Sequence, residues 1–202
     1  MIKFVIFDVM GVIFTVSDDV EDLLIPYIRS LKPEIDAQSV KDAYLTTSLG
    51  KIPSVKFWML MGFKLSDAHE IEREYLEKSF SLDADFLPCA YALKSRYSLA
   101  MLSNDISEWN KYLRGFYAIE PLLNAAFISG DLGVRKPDPK IYQLALSGLG
   151  AKPSECLFID DMPDRVDAAR ELGISSILFN RKRHDYRGIH ISTFEQLTQM
   201  LL

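Results

Sequence analysis

Asp8, Ser103, Lys136 and the pair Asp160-Asp161 are the positions of this 202-residue chain whose types and contexts could do chemistry together. Asp8 closes the apolar run Lys3–Phe7. Ser103 closes Ser98–Leu102, and Asp160-Asp161 closes Cys156–Ile159. Lys136 lies in the loop Gly133-Val134-Arg135-Lys136-Pro137, just before a helical pattern. A carboxylate can attack phosphorus and form an acyl phosphate. Neighbouring carboxylates repel one another and an incoming phosphate, and a hard cation such as Mg²⁺ relieves this by taking oxygens from both sides. A lysine adds fixed positive charge, and a serine hydroxyl with nearby backbone N–H groups can bond phosphate oxygens. The chemistry that suits this set is phosphoryl transfer.

These side chains can meet only if the elements carrying them are aligned. The short, continuous apolar runs Lys3–Phe7, Ser98–Leu102, Ala125–Ser129, Cys156–Ile159 and Ile174–Phe179 predict parallel strands covered on both faces. Helical patterns over Ala84–Ser95, Pro139–Leu149, Asp164–Leu172 and Thr193–Leu202 fall between or after them. Asp138-Pro139 offers a cap and a first-turn proline, and Gly173 offers a stop. Alternating β and α predicts a Rossmann-like, doubly wound α/β sheet sandwiched by helices. In such sheets the carboxyl ends of the strands open into one crevice. Residues 15–82 break the rhythm with helical patterns alone, over Asp18–Ser30, Ala37–Leu49, Pro53–Met61 and Ser66–Ser79. The expected organisation is an α/β core of residues 1–14 and 83–202, with residues 15–82 inserted as a small all-helical cap over the carboxyl end of the sheet.

Four segments in order resemble the motifs of the haloacid dehalogenase-like hydrolase superfamily. They are Phe7-Asp8-Val9-Met10-Gly11-Val12, Leu102-Ser103-Asn104, Arg135-Lys136-Pro137-Asp138-Pro139 and Phe158-Ile159-Asp160-Asp161. Gly50-Lys51-Ile52-Pro53 with Phe57-Trp58 resembles the cap of the branch with a helical insertion after the first motif. The resemblance implies that Asp8 is the nucleophile, that Ser103 binds phosphate with the Asn104 backbone, and that Lys136 neutralises both nucleophile and phosphate. It implies a Mg²⁺ cofactor held by Asp8, the Met10 carbonyl and Asp161, with Asp160 as a ligand or a supporting acid.

Two departures qualify what is carried over. Phosphatases of this family usually have a second aspartate two residues after the nucleophile, as general acid and base. Here that position is Met10, whose thioether cannot transfer a proton, and losing such help typically costs 10²–10⁴-fold. Many relatives also carry Asp or Asn four residues after the last acid, where this chain has Arg165; Asp164 is one position early. The expected activity is Mg²⁺-dependent hydrolysis of a small phosphate monoester. A catalytically silent relative that binds a phosphorylated ligand or a partner protein is a rival favoured by Met10 and Arg165. A dehalogenase is another, since halide departs without a proton, but its branch lacks the acidic fourth motif.

Composition narrows the partners. Hydrophobic residues are 49% and charged residues 25%, with a net charge of -5, which is ordinary for a globular chain and offers no electrostatic grip on nucleic acid. The longest apolar runs are far short of the ~20 residues that span a bilayer. No secretory signal pattern opens the chain, so a small phosphorylated metabolite in the cytoplasm, with no nucleic-acid or membrane partner, is the expectation. Cys89 and Cys156 form no metal-binding pair, and Cys156 reads as a buried small residue. Arg181-Lys182-Arg183-His184 reads as a short surface loop. Phe57, Trp58, Met59 and Met61 read as cap core, and Trp109 and Tyr112 as packing a helix onto the sheet. His69, His184 and His190 have no partner at ligand spacing.

Overall fold

The computed structural model describes all 202 residues. Six strands form one parallel sheet in the order β3-β2-β1-β4-β5-β6. They are β1 (Phe4–Phe7), β2 (Ser98–Ser103), β3 (Ala125–Ile128), β4 (Cys156–Asp160), β5 (Ser175–Phe179) and β6 (His190–Ile191). β4 is buried at every position, and β1 and β2 at all but their first residue, as strands covered on both faces must be. The five strands expected from apolar runs all form. β6 adds a sixth that shows no sequence signal, because two residues are too few to show a period; it is held by the pairing of Leu178 with His190 and of Phe179 with Ile191.

Helices cover the sheet: α5 (Phe86–Leu93), α6 (Ser107–Phe116), the short α7 (Ser129–Leu132), α8 (Pro139–Leu149), α9 (Pro163–Glu171) and α10 (Phe194–Leu201). α8 begins as its sequence predicts. The Asp138 carboxylate accepts the Lys140 N–H at 2.8 Å, and the helix ends at Gly150 in the left-handed region.

Between β1 and β2 lie only helices, after the loop that follows β1. A π-helical turn, Val20–Leu24, runs into α1 (Ile25–Leu31), followed by α2 (Ala37–Thr47), α3 (Ser54–Leu60) and α4 (Leu65–Ser79). The helix expected over Asp18–Ser30 thus opens irregularly, and Pro26, with no N–H to donate, follows the irregular turn. Phe57, Trp58 and Met61 are buried as core, whereas Met59 is exposed. Trp109 departs from expectation. Its ring meets Tyr44, Phe57, Trp58 and Tyr75, so it ties α6 to the helices of residues 15–82 rather than to the sheet. The Trp58 and Trp109 indole N–H groups both donate to Glu72 Oε2, at 2.9 and 2.8 Å. Tyr112 Oη donates to Glu77, and Tyr117 Oη to the Phe80 carbonyl, both at 2.5 Å. These bonds fix the helical segment against α6 and the residue that follows it.

Strand order reverses direction at β1: the chain builds β2 and β3 on one side, then crosses to β4. Phe7 is in register with Met101 on one side and Ile159 on the other. Asp8 is therefore one residue past that line, Asp160 is level with it, and Ser103 and Asp161 are one step further.

Candidate active site

The β1–β4 junction places two carboxylates, Asp8 and Asp160, on one lysine, with Asp161 beside them. Lys136 Nζ lies 2.7 Å from Asp8 Oδ1 and 2.6 Å from Asp160 Oδ2, and it donates to the Leu102 carbonyl at 2.8 Å. The Lys136 side chain is fully buried, so its charge is compensated only by these partners. Asn104 aims it. The Asn104 amide accepts the Lys136 N–H at 2.7 Å and donates to the Lys136 carbonyl at 2.9 Å, locking the loop before α8 to the end of β2. The side chain of Asn104 is committed to that lock, and its carbonyl faces the Tyr44 hydroxyl, which leaves its backbone N–H for a ligand.

Asp160 is fully engaged: besides Lys136, its Oδ1 accepts the Met162 N–H at 2.9 Å. Asp161 is not. Ser17 Oγ donates to its Oδ2, while its Oδ1 is buried without a partner. Gly11 is what lets the loop after β1 close over this carboxylate. It adopts φ +77°, and a Cβ there would overlap the Asp161 carboxyl.

Arg165, on the first turn of α9, completes the cluster. Its NH1 donates to Asp8 Oδ2 at 3.2 Å and stands 3.7 Å from Asp160 Oδ1. Three acids face two cations. Burial, then the Asp160 charge, pushes the Asp8 carboxyl up to about 7 against the pull of Lys136 and Arg165. Burial would also raise Asp160, but Lys136 and Arg165 hold it below the ordinary value. Asp161 is raised by burial and by Asp160. The excess negative charge and the orphaned Asp161 oxygen are what a hard divalent cation satisfies. Asp8, Asp160 and Asp161 each offer an oxygen within 4.8 Å of the others. An all-oxygen set of this kind suits Mg²⁺ rather than zinc. The residues present fit the ion.

Above the cluster is a cavity of about 280 Å³, near the lower limit for small-molecule sites. Asp8, Met10, Ser103, Asn104 and Arg165 line its sheet side, and Asp19 and Tyr44 its helical side; Arg135 and Lys182 also border it. Of the expected site residues, Asp8, Met10, Ser103 and Asn104 line this cavity; Lys136 and Asp160 are buried behind Asp8, and Asp161 borders a neighbouring cavity with Gly11, Ser17 and Arg181.

Three residues escaped the sequence reading. Arg165 appeared only as a departure, although its place one helical turn beyond Asp161 is the signal that it could reach the strand ends. Arg181 appeared as part of a surface loop. Instead its guanidinium donates to the Gly11 and Val12 carbonyls at 3.1 and 3.0 Å and pairs with Asp83 at 2.6 Å, pinning the loop that follows Asp8. Asp19, buried and bordering the cavity, carried no sequence signal beyond its position at a helix start.

Comparisons with known proteins agree with this architecture. A family model described as haloacid dehalogenase-like hydrolase matches residues 2–173. Flavin mononucleotide hydrolase 1 of Arabidopsis thaliana is 35% identical over 71 residues, covering 35% of this chain and 29% of that protein. (S)-2-haloacid dehalogenase 4A of Burkholderia cepacia is 29% identical over 138 residues, covering 62% of this chain and 60% of that protein. The chain therefore spans less than two thirds of either relative. A family enzyme of Bacteroides thetaiotaomicron, solved with magnesium and inorganic phosphate, superposes with a TM-score of 0.75 at 21% identity, over 88% of this chain and 94% of that one. That likeness shows the shared fold. With most of its length matched by the family model, this chain belongs to the haloacid dehalogenase-like hydrolase family.

Proposed function

We propose that this protein is a Mg²⁺-dependent phosphatase of a small phosphate monoester, working through an aspartyl-phosphate at Asp8. The observation that carries the reading is the Asp8 carboxylate, buried at a strand end, held by Lys136 and facing the metal-competent pair Asp160-Asp161. In this reading Asp8, the Met10 carbonyl and Asp161 hold the ion, and Asp160 chiefly orients Lys136. The bound ion would neutralise phosphate charge and favour ionised Asp8.

The chain's own groups have separate tasks. Ser103, which borders the cavity, bonds a phosphate oxygen together with backbone N–H groups of the following loop. Lys136 offsets the charge of the nucleophile as phosphate enters. Residues 15–82 act as a helical cap on the core of residues 1–14 and 83–202, excluding water and selecting the leaving group through Asp19, Tyr44 and their neighbours. The small cavity supports a small substrate, and the cations Arg135, Arg165 and Lys182 around it support an anionic one. The magnesium and phosphate bound by the Bacteroides enzyme support the same reading.

A second reading is a silent phospho-ligand binder. Arg165 bonded to Asp8 and Met10 in the place of an acid favour it. Phosphate release from an aryl phosphate, with Mg²⁺ and with chelator, separates the two. Metal-dependent release supports the phosphatase, and phosphate binding without release supports the silent relative. Halide release from a 2-haloacid in the same assay would instead indicate dehalogenation, the activity named for the Burkholderia relative.

A further inference from the structure

Asp19 stands where the cavity has an acid and the nucleophile loop has none. The residue is only 7% exposed and borders the cavity with Asp8, Met10 and Ser103. It precedes the π-helical turn at Val20 yet makes no side-chain capping bond, so it is not spent on starting that helix. No lysine or arginine is paired with it. Its one polar side-chain contact is Tyr44 Oη, 3.4 Å from Asp19 Oδ2 and 3.4 Å from the Asn104 carbonyl. Through that hydroxyl, Asp19 faces the loop at the end of β2 where phosphate is expected to sit.

We propose that Asp19 is the catalytic acid and base of this enzyme, delivering from the helical side of the cavity the proton that Met10 cannot. This rests on the phosphatase reading above. In the first half-reaction an Asp8 carboxylate oxygen bonds to phosphorus as the ester P–O bond breaks. The electron pair leaves on the ester oxygen, which takes the Asp19 proton and departs as an alcohol. In the second half-reaction a water oxygen bonds to phosphorus as the acyl-phosphate P–O bond breaks. Asp19 takes a proton from that water, and Asp8 is released as carboxylate with inorganic phosphate. Asp19 is suited to the first task because burial, with Asp105 and Asp18 nearby, pushes its carboxyl up to about 7, so that it carries a proton near neutral pH.

Asp19→Asn tests this, with wild-type and Asp8→Asn proteins assayed alongside on an alkyl phosphate and on 4-nitrophenyl phosphate under single turnover with Mg²⁺. A general acid matters most for a poor leaving group. Alcohol release from the alkyl ester should fall about 10²–10⁴-fold in Asp19→Asn, and nitrophenol release less than about tenfold. Asp19→Glu should keep part of the alkyl activity, and adding Met10→Asp to Asp19→Asn should restore part of it. An equal fall on both esters would reveal a structural role and overturn the proposal, as would no fall on either. If Asp8→Asn is dead while Asp19→Asn keeps full alkyl activity, the phosphatase reading stands and the Asp19 assignment fails. If the wild-type protein releases no alcohol from either ester, both fail.

Discussion

The two oxygens of the Asp8 carboxylate are held by different cations: Lys136 Nζ lies 2.7 Å from Oδ1, and Arg165 NH1 lies 3.2 Å from Oδ2. Lys136 is fully buried, whereas Arg165 is 24% exposed and borders the cavity. The first contact is part of the frame, and the second can yield to a ligand. A cation that approaches Asp8 Oδ2 meets the Arg165 guanidinium. Replacing it should therefore separate the cost of an uncompensated acid cluster from the gain of an open metal site.

Arg165→Gln is expected to bind Mg²⁺ more tightly than the wild-type protein in calorimetric titration, and to be less stable without metal. Removing the partner of a partly exposed pair typically costs about 1 kcal/mol or less. Weaker Mg²⁺ binding in this variant would show that Arg165 supports the ion rather than competing with it.

Lys136→Met removes the only buried cation between Asp8 and Asp160. Stranding buried charges in this way costs about 3–5 kcal/mol. Urea unfolding should show a loss of that order in metal-free protein, with part of it recovered by Mg²⁺. A variant as stable as wild type in chelator would show that the two acids do not need their counter-ion.

Gly11→Ala forces a side chain into left-handed backbone and onto the Asp161 carboxyl. The strain alone is about 1–2 kcal/mol, and the overlap adds to it. The thermal midpoint should fall, and the Mg²⁺-induced rise in that midpoint should shrink, because Asp161 must move. An unchanged Mg²⁺ response would separate Asp161 from the metal.

The buried Asp19 carboxyl makes stability depend on pH with a definite sign. Its folded pKa, about 7, is raised above the unfolded value, with burial the main cause. The folded state therefore binds the extra proton between about pH 4 and 7. The stability it contributes is fully present below about pH 4 and is lost as pH rises through 7. Asp19→Asn should match wild type near pH 4 and exceed it near pH 8. Between those limits the gap grows by at most about 1.4 kcal/mol for each step of one in pH, and relaxation of the buried site reduces it. A stabilising change at a catalytic acid is the usual trade between stability and activity. A gap that closes as pH rises would contradict the assignment of a raised pKa.

The sheet was legible because β1, β2 and β4 are continuous apolar runs ending in polar residues, and strand ends in such a sheet share a crevice. Asp8, Ser103, Lys136 and Asp160-Asp161 were legible for the same reason. Arg165 and Arg181 were not. Long side chains reach partners fixed only by tertiary packing: Arg181 spans to carbonyls 169 and 170 residues away. Asp19 was illegible because an acid beginning a helix is ordinary, and only the fold buries it against Tyr44. Trp109 showed its bulk in the sequence but not its direction, which is set by Glu72 on α4.

Acid-quench trapping with a ³²P-labelled alkyl phosphate in Mg²⁺ asks whether Asp8 carries the phosphoryl group. Wild-type protein is expected to retain acid-stable, alkali-labile label that maps to the peptide containing Asp8, and Asp8→Asn, shown to be folded by its circular dichroism, to retain none and release no phosphate. Label on another residue, or undiminished turnover in Asp8→Asn, would contradict that role for Asp8.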